Sequence, residues 1–304
     1  MANLIHLYMA WKTRRDFGGM DKKRDAGQTI PADVKRFDNI LYGPDKKFQK
    51  WQYLDVYRPA AKTQQEKLPV IISVHGGAWV YGDKDVYQWY CMRLAQRGFA
   101  VVNFSYRLAP ETAFPSSVED TERVFQWVCT NAEQYGFDLN NVFAVGDSAG
   151  AHLLALYTSA ITNAEYAKNF PFIQNKPLVL RGVALNCGKY NLDPSLEKNP
   201  LMKMLVEALL QSKVTAQGLD LLNASAHVTK DFPPAFVMTC VGDFQFKQAP
   251  FMTKALEEAG VQYEYHCYGS EEQVLWHVFH LEPNLEVANT CNDDECEFFR
   301  KLMK

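Results

Sequence analysis

Ser148 stands in Gly146-Asp147-Ser148-Ala149-Gly150, a G-x-S-x-G that follows Val142-Phe143-Ala144-Val145 and precedes Ala151-His152-Leu153-Leu154-Ala155-Leu156. The first run reads as a strand and the second as a helix, so the serine occupies a tight strand-to-helix turn. Such a turn needs small flanking residues, lifts the hydroxyl above the sheet, and sets a helix N-terminus under developing negative charge. A hydroxyl remains a poor nucleophile until a base takes its proton. Of the seven histidines, His6 and His227 lie in peripheral segments, and His266 falls in the apolar strand Tyr-Glu-Tyr-His-Cys-Tyr. His152 belongs to the helix leading away from the turn, and His75 opens a turn of its own. His277 and His280 remain, in Trp276-His277-Val278-Phe279-His280 after the last strand-like run.

A histidine base needs a carboxylate to fix its tautomer and stabilise the imidazolium. Asp243 is the best placed, in the turn Val241-Gly242-Asp243-Phe244 after the apolar run Ala235 to Thr239. Asp220 and Asp231 have no such placement. The chain order Ser148, Asp243, His277 is that of hydrolases built on this turn. Attack on a carbonyl also puts charge on its oxygen. His75-Gly76-Gly77-Ala78-Trp79 follows Val70-Ile71-Ile72-Ser73-Val74, so the N–H groups of Gly77 and Ala78, joined by that of Ala149, are candidates to hold it. Trp79 is a candidate substrate contact.

These residues need a scaffold that brings strand ends together. Strand-like runs occur at 40–42, 51–57, 70–74, 99–104, 142–145, 179–185, 235–239 and 262–268. Several are continuously apolar, the pattern of strands buried on both faces. Helical segments are predicted at 86–97, 117–134, 149–162, 248–259 and 289–302, with a shorter one at 3–14. The alternation predicts an α/β fold with a mostly parallel sheet and helices on both faces. A parallel sheet presents its catalytic groups at the strands' carboxyl ends.

Residues 190–232 interrupt the alternation as an insertion. Within it, Leu201 to Gln211 is apolar except for the stripe Lys203, Glu207 and Gln211. A helix so apolar is buried on most sides, lines a pocket, or forms a subunit interface. Met202, Leu205, Val206 and Leu209 are its candidate substrate contacts.

The chain has 304 residues, 47% hydrophobic and 22% charged, with a net charge of -3. So even a balance carries no nucleic-acid footprint. The seven scattered cysteines form no CxxC, and Cys291 and Cys296 have no nearby histidine, so neither a metal nor a disulfide framework is expected. No stretch approaches the apolar length of a membrane span. The basic residues of the first segment follow its apolar run, opposite to a secretory signal, so a cytoplasmic location is expected.

His75-Gly76-Gly77-Ala78-Trp79, Tyr106-Arg107-Leu108-Ala109-Pro110-Glu111, Gly146 to Gly150, Asp243 and His277-Val278-Phe279 together resemble the hormone-sensitive-lipase-like branch of the α/β-hydrolase superfamily, over roughly residues 51–281. The resemblance implies an eight-stranded sheet with a helical cap, and cofactor-independent hydrolysis of short-acyl esters through an acyl-enzyme. It makes Ser148 the nucleophile, His277 the base and acid, and Asp243 its orienting carboxylate. Gly77, Ala78 and Ala149 become the oxyanion donors. It makes His75 a brace for its loop, and Tyr106 to Glu111 scaffold. Residues 1–36 form an N-terminal segment that could join the cap. Residues 37–304 form the catalytic domain, with the cap insertion at about 190–232. Three positions depart from the usual pattern: Ala78 where glycine is common, Lys247 where a second acid often follows Asp243, and the approach Ser270 to Trp276. HGGAW is also similar to kynurenine formamidases, which cleave an N-formyl amide. Plant gibberellin receptors resemble the fold but lack the histidine, so His277 argues against a binding module. A small-molecule ester is the expected partner, with no nucleic acid and no membrane.

Overall fold

The computed structural model describes residues 3–173, 178–192 and 198–304. Its strands are β1 (Val34–Leu41), β2 (Tyr53–Pro59), β3 (Leu68–Val74), β4 (Ala100–Phe104), β5 (Phe137–Asp147), β6 (Leu180–Asn186), β7 (Ala235–Cys240) and β8 (Tyr263–Tyr268). Its helices are α1 (Leu4–Arg24), α2 (Lys84–Gln96), α3 (Ser116–Thr130), α4 (Ala132–Tyr135), α5 (Ala149–Thr162), α6 (Ala164–Ala167), α7 (Pro200–Leu210), α8 (Ala216–Leu221), α9 (Ala249–Glu258) and α10 (Glu286–Lys301). The eight strands form one sheet in the order β1-β2-β4-β3-β5-β6-β7-β8. β2 runs antiparallel to β1 and β4, and every pairing from β4 to β8 is parallel. This is the α/β-hydrolase fold.

Side-chain alternation explains the layers. Val70, Ile72 and Val74 of β3 point into one core with Val124 and Phe125 of α3 and Leu153 and Leu156 of α5. Ile71 points into the other, with Cys91 and Leu94 of α2 and Phe298 and Phe299 of α10. Both faces are buried, which is why these strands read as unbroken apolar runs. Among the described residues no helix is long and apolar enough to cross a membrane. None of the seven cysteines forms a disulfide.

Several elements differ from the sequence reading. The first helix runs to Arg24, through Gly18 and Gly19, well past residue 14. Tertiary contacts hold its C-terminal half: Arg14 grips both Glu111 carboxylate oxygens, and the Asp21 carboxylate accepts from the Tyr81 hydroxyl at 2.6 Å. β1 begins at Val34, so residue 37 lies within a strand and not at a boundary. The helix predicted over 117–134 breaks at Asn131 into α3 and α4. Residues 193–197 of the insertion lie outside the described residues.

One buried acid ties α10 to the sheet beneath the serine turn. Glu295 accepts from the Tyr90 hydroxyl at 2.8 Å and from the Asn186 amide at 2.7 Å. Burial pushes its carboxyl from 4.5 up to about 7, against the lowering effect of those two bonds. A carboxyl raised on folding is favoured in its protonated form. Its contribution is therefore intact below the unfolded value and lost as pH rises through about 7. Glu295→Gln is expected to match the wild type at pH 4 and to exceed its unfolding free energy at pH 8 by on the order of 3 kcal/mol. Urea melts at the two pH values measure this; parallel losses in both proteins would refute it.

Candidate active site

β5 ends at Asp147, and Ser148 turns the chain into α5 with φ 51° and ψ −117°, a left-handed conformation that costs a non-glycine residue energy. The turn is clamped. The Ser148 N–H donates to the Asn186 carbonyl at 2.9 Å, and a Cβ on Gly146 would press on the Gly150 carbonyl carbon at 2.7 Å. Glycine is needed there because the two arms of the turn touch.

The Ser148 hydroxyl lies 2.9 Å from His277 Nε2, and His277 Nδ1 donates to Asp243 Oδ1 at 2.6 Å. Asp243 follows β7, and His277 lies in the loop after β8, so all three groups meet at the carboxyl edge of the sheet. Burial pushes the Asp243 carboxyl up. The hydrogen bond and charge of His277, the Gln245 amide and the Cys187 thiol outweigh it and hold the carboxyl below its ordinary value. Asp243 Oδ2 also accepts from the Thr239 hydroxyl at 3.0 Å. The carboxylate is thus ionised and held on both oxygens. Such a chain can carry the serine proton to the imidazole and stabilise the charge left there.

The other histidines have different tasks. His280 is buried, and burial pushes its imidazole down to about 3, with Arg93 adding to the effect. It packs edge-on against Tyr90 and does not reach the serine. His75 stacks on Tyr106 at 4.0 Å, donates Nδ1–H to the Gly76 carbonyl, and is pushed by burial to about 4. His152 accepts from Trp79 Nε1 at 3.1 Å and donates to the Leu222 carbonyl at 2.7 Å. Both stay neutral and structural.

Gly77, Ala78 and Trp79 all have positive φ (115°, 52° and 63°), so the loop after β3 curls back beside Ser148. Ala149 opens α5, where the first N–H groups have no partner within the helix. These residues share a cavity of about 740 Å³ with Ser148 and His277, a volume within the ordinary range of small-molecule sites. Met202 and Leu205 line that cavity from α7. Val206 and Leu209 do not. They are buried in the main core, so the sequence expectation is corrected for these two residues. The reason is the placing of the polar stripe: Glu207 turns to His6 of α1 at 3.7 Å, and Gln211 donates to the Pro110 carbonyl. That rotation leaves Met202 and Leu205 in the cavity wall and sends Val206 and Leu209 into the core.

Several groups were not anticipated. Tyr87 of α2 accepts from the Gly76 N–H and donates to Asp147 Oδ2, both at 2.8 Å, bracing the glycine loop against the serine turn. Burial pushes Asp147 up to about 6, partly offset by the Tyr87 bond and the charges of His277 and Arg24. A buried acid inside the turn motif requires a partner, and that was the available signal. Phe17, Met20 and Arg24 of α1 also line the cavity. Cys187, just past β6, lies with Asp243 and His277 in a cluster whose ligand atoms fall within 4.8 Å of one another. A cation there would compete with the 2.6 Å bond from His277 to Asp243, and burial holds the Cys187 thiol well above its ordinary value. These donors suit a proton relay better than a metal.

The family model BD-FAE matches residues 54–251, well over half of the chain. Versiconal hemiacetal acetate esterase of Dothistroma septosporum is 27% identical over 225 residues, covering 71% of this chain and 69% of its own. Esterase LipC of Mycobacterium tuberculosis is 28% identical over 205 residues, 66% of this chain but only about half (49%) of its own length. Esterase B from Lactobacillus rhamnosis superposes with a TM-score of 0.88 at 27% identity, covering 99% of this chain and 96% of that one. The chain belongs to the BD-FAE family, an α/β-hydrolase esterase family, and is a carboxylic ester hydrolase.

Proposed function

We propose that the chain is a serine esterase that cleaves short-acyl carboxylic esters, acetyl esters among them, through an acyl-enzyme. The observation that carries this reading is the relay from Ser148 through His277 to Asp243 on the floor of the cavity. Ser148 Oγ attacks the ester carbonyl while His277 Nε2 takes its proton. The N–H groups of Gly77, Ala78 and Ala149 hold the resulting oxyanion. His277 then gives the proton to the departing alkoxide, leaving an acyl-Ser148. Water, deprotonated by the same nitrogen, releases the acid. Asp243 keeps the imidazole in the tautomer that faces Ser148. α1 and α7 act as the cap, and cysteines left as thiols agree with a reducing, cytoplasmic location.

Acyl size is the finer part of the reading. Esterase B was solved with a phosphonate described as C4-C4 tributyrin, and the Dothistroma relative is named for an acetate ester. In this chain Met202 and Leu205 stand over the serine where a long acyl chain would pass. Each methylene that fits should gain at most about 0.8 kcal/mol, and those beyond the wall should gain nothing. A chromogenic ester series from acetate to dodecanoate, with N-formylkynurenine alongside, is expected to give the highest kcat/KM between acetate and hexanoate and none of it in Ser148→Ala. Met202→Ala or Leu205→Ala should move the optimum to longer chains. N-formylkynurenine as the preferred substrate would replace the ester reading by an amidase one. An unmoved optimum in both variants would remove α7 from acyl selection.

A further inference from the structure

Two aromatic side chains flank the candidate base with one face uncovered. The Phe244 ring lies 4.2 Å from the His277 ring and is 74% exposed. Trp276, the residue before His277, is 49% exposed. Both line the cavity that holds Ser148. Large aromatic surface left open beside a reacting group marks a place where something else packs.

The backbone that carries the two rings is anchored. Gly242 packs so closely on the Leu275 carbonyl that no side chain fits between the loops after β7 and β8. The Cys240 thiol donates to the Trp276 carbonyl at 3.3 Å. Asp243 anchors the Phe244 turn, accepting the Gln245 N–H on Oδ1 at 2.7 Å and the Phe246 N–H on its carbonyl. The Phe244 and Trp276 backbones are therefore placed beside the relay, since their chain neighbours are Asp243 and His277 themselves.

The chemistry decides which part of the substrate meets them. In ester cleavage the base must return its proton to the departing oxygen, so that oxygen comes within hydrogen-bond reach of His277 Nε2. The side chains packed around His277 outside the relay then touch the alcohol, while α7 stands over the acyl side. Met20 of α1, 66% exposed, lines the same cavity. Open aromatic surface of this kind suits an aryl or bulky apolar group. Gln245, Lys247 and Gln248 line the same cavity, so the apolar preference rests on the two rings, which offer little to a small alcohol.

We propose that Phe244 and Trp276 form the leaving-group subsite of this esterase and select esters of aryl-bearing or bulky apolar alcohols. The inference rests on the serine-esterase reading above and adds the alcohol half of its substrate. It also gives a role to Trp276, the last residue before the base.

The test holds the acyl group constant. 2-Phenylethyl acetate and ethyl acetate release alkyl alcohols of similar acidity and pass through the same acetyl-enzyme, so their kcat/KM ratio reports alcohol recognition. The wild type is expected to favour the phenylethyl ester by about tenfold or more. Phe244→Ala and Trp276→Ala should each lower that ratio severalfold, and the double variant should bring it close to one. Thermal melts verify folding, and Phe244→Leu, which keeps apolar volume, should retain part of the preference. A wild-type ratio near one overturns the proposal even if every variant fails to fold. Equal losses on both esters overturn it too, because they would mean that the rings only support His277. A preference for an acetylated methyl glucoside over the phenylethyl ester would overturn the apolar assignment. Activity persisting in Ser148→Ala would instead strike at the serine-esterase reading, so the two failures are separable.

Discussion

Ser148→Ala and His277→Ala are each expected to lower kcat by about 10⁴- to 10⁶-fold, and the double variant to be scarcely worse than either alone. The 2.9 Å contact makes the serine a nucleophile only while His277 can accept its proton, so removing either group removes the same step. What activity remains would come from binding and from the Gly77, Ala78 and Ala149 donors, which neither change touches. His280→Ala is the informative neighbour. His280 is three residues away, wholly buried and out of reach of Ser148, so its loss should lower the melting temperature with little effect on kcat at permissive temperature. Single-turnover assays with a chromogenic acetate distinguish the cases. Strictly multiplicative losses in the double variant, or a crippled His280→Ala beside an active His277→Ala, would overturn the assignment.

Asp243→Asn is expected to cost about 10⁴-fold in kcat at neutral pH while leaving KM nearly unchanged. The aspartate accepts from His277 Nδ1, the Gln245 N–H and the Thr239 hydroxyl, so three donors converge on it. An asparagine amide can either offer its oxygen to Nδ1 without the charge, or turn its NH2 there and leave the imidazole in the wrong tautomer. Neither arrangement stabilises the imidazolium that forms as Ser148 attacks. The carboxyl is held below its ordinary value, so it is ionised at neutral pH. The stabilisation it gives the fold is present above the unfolded value and is lost as pH falls through the depressed one. A loss of less than about tenfold in Asp243→Asn would show that orientation by the surrounding loops suffices without the charge.

The sheet was legible because its strands are buried on both faces, and continuous apolar runs such as Val70-Ile71-Ile72 have few other uses. Their ends drifted by several residues, as at β1 and β5, because pairing with a neighbour extends a strand beyond its apolar centre. Ser148, Asp243 and His277 could be picked out singly, each beside a strand end and in one chain order. Their contact could not, because the three separated turns meet only when β5, β7 and β8 lie side by side.

Local chemistry settles local matters: small residues where a turn closes on itself, apolar periodicity where a face is buried, a serine in a strained elbow. These belong to short stretches, and the sequence alone determined them here. Which way α7 faces was decided elsewhere, by Glu207 meeting His6 and Gln211 meeting Pro110, contacts between residues far apart in the chain. The same holds for α1 at the cavity wall, for Tyr87 between Gly76 and Asp147, and for the burial that separates His280 from His277. Burial and long-range hydrogen bonds depend on what arrives from other segments, and no window of the sequence contains those partners. The tertiary structure alone therefore fixed which side chains surround the serine and which histidine can reach it.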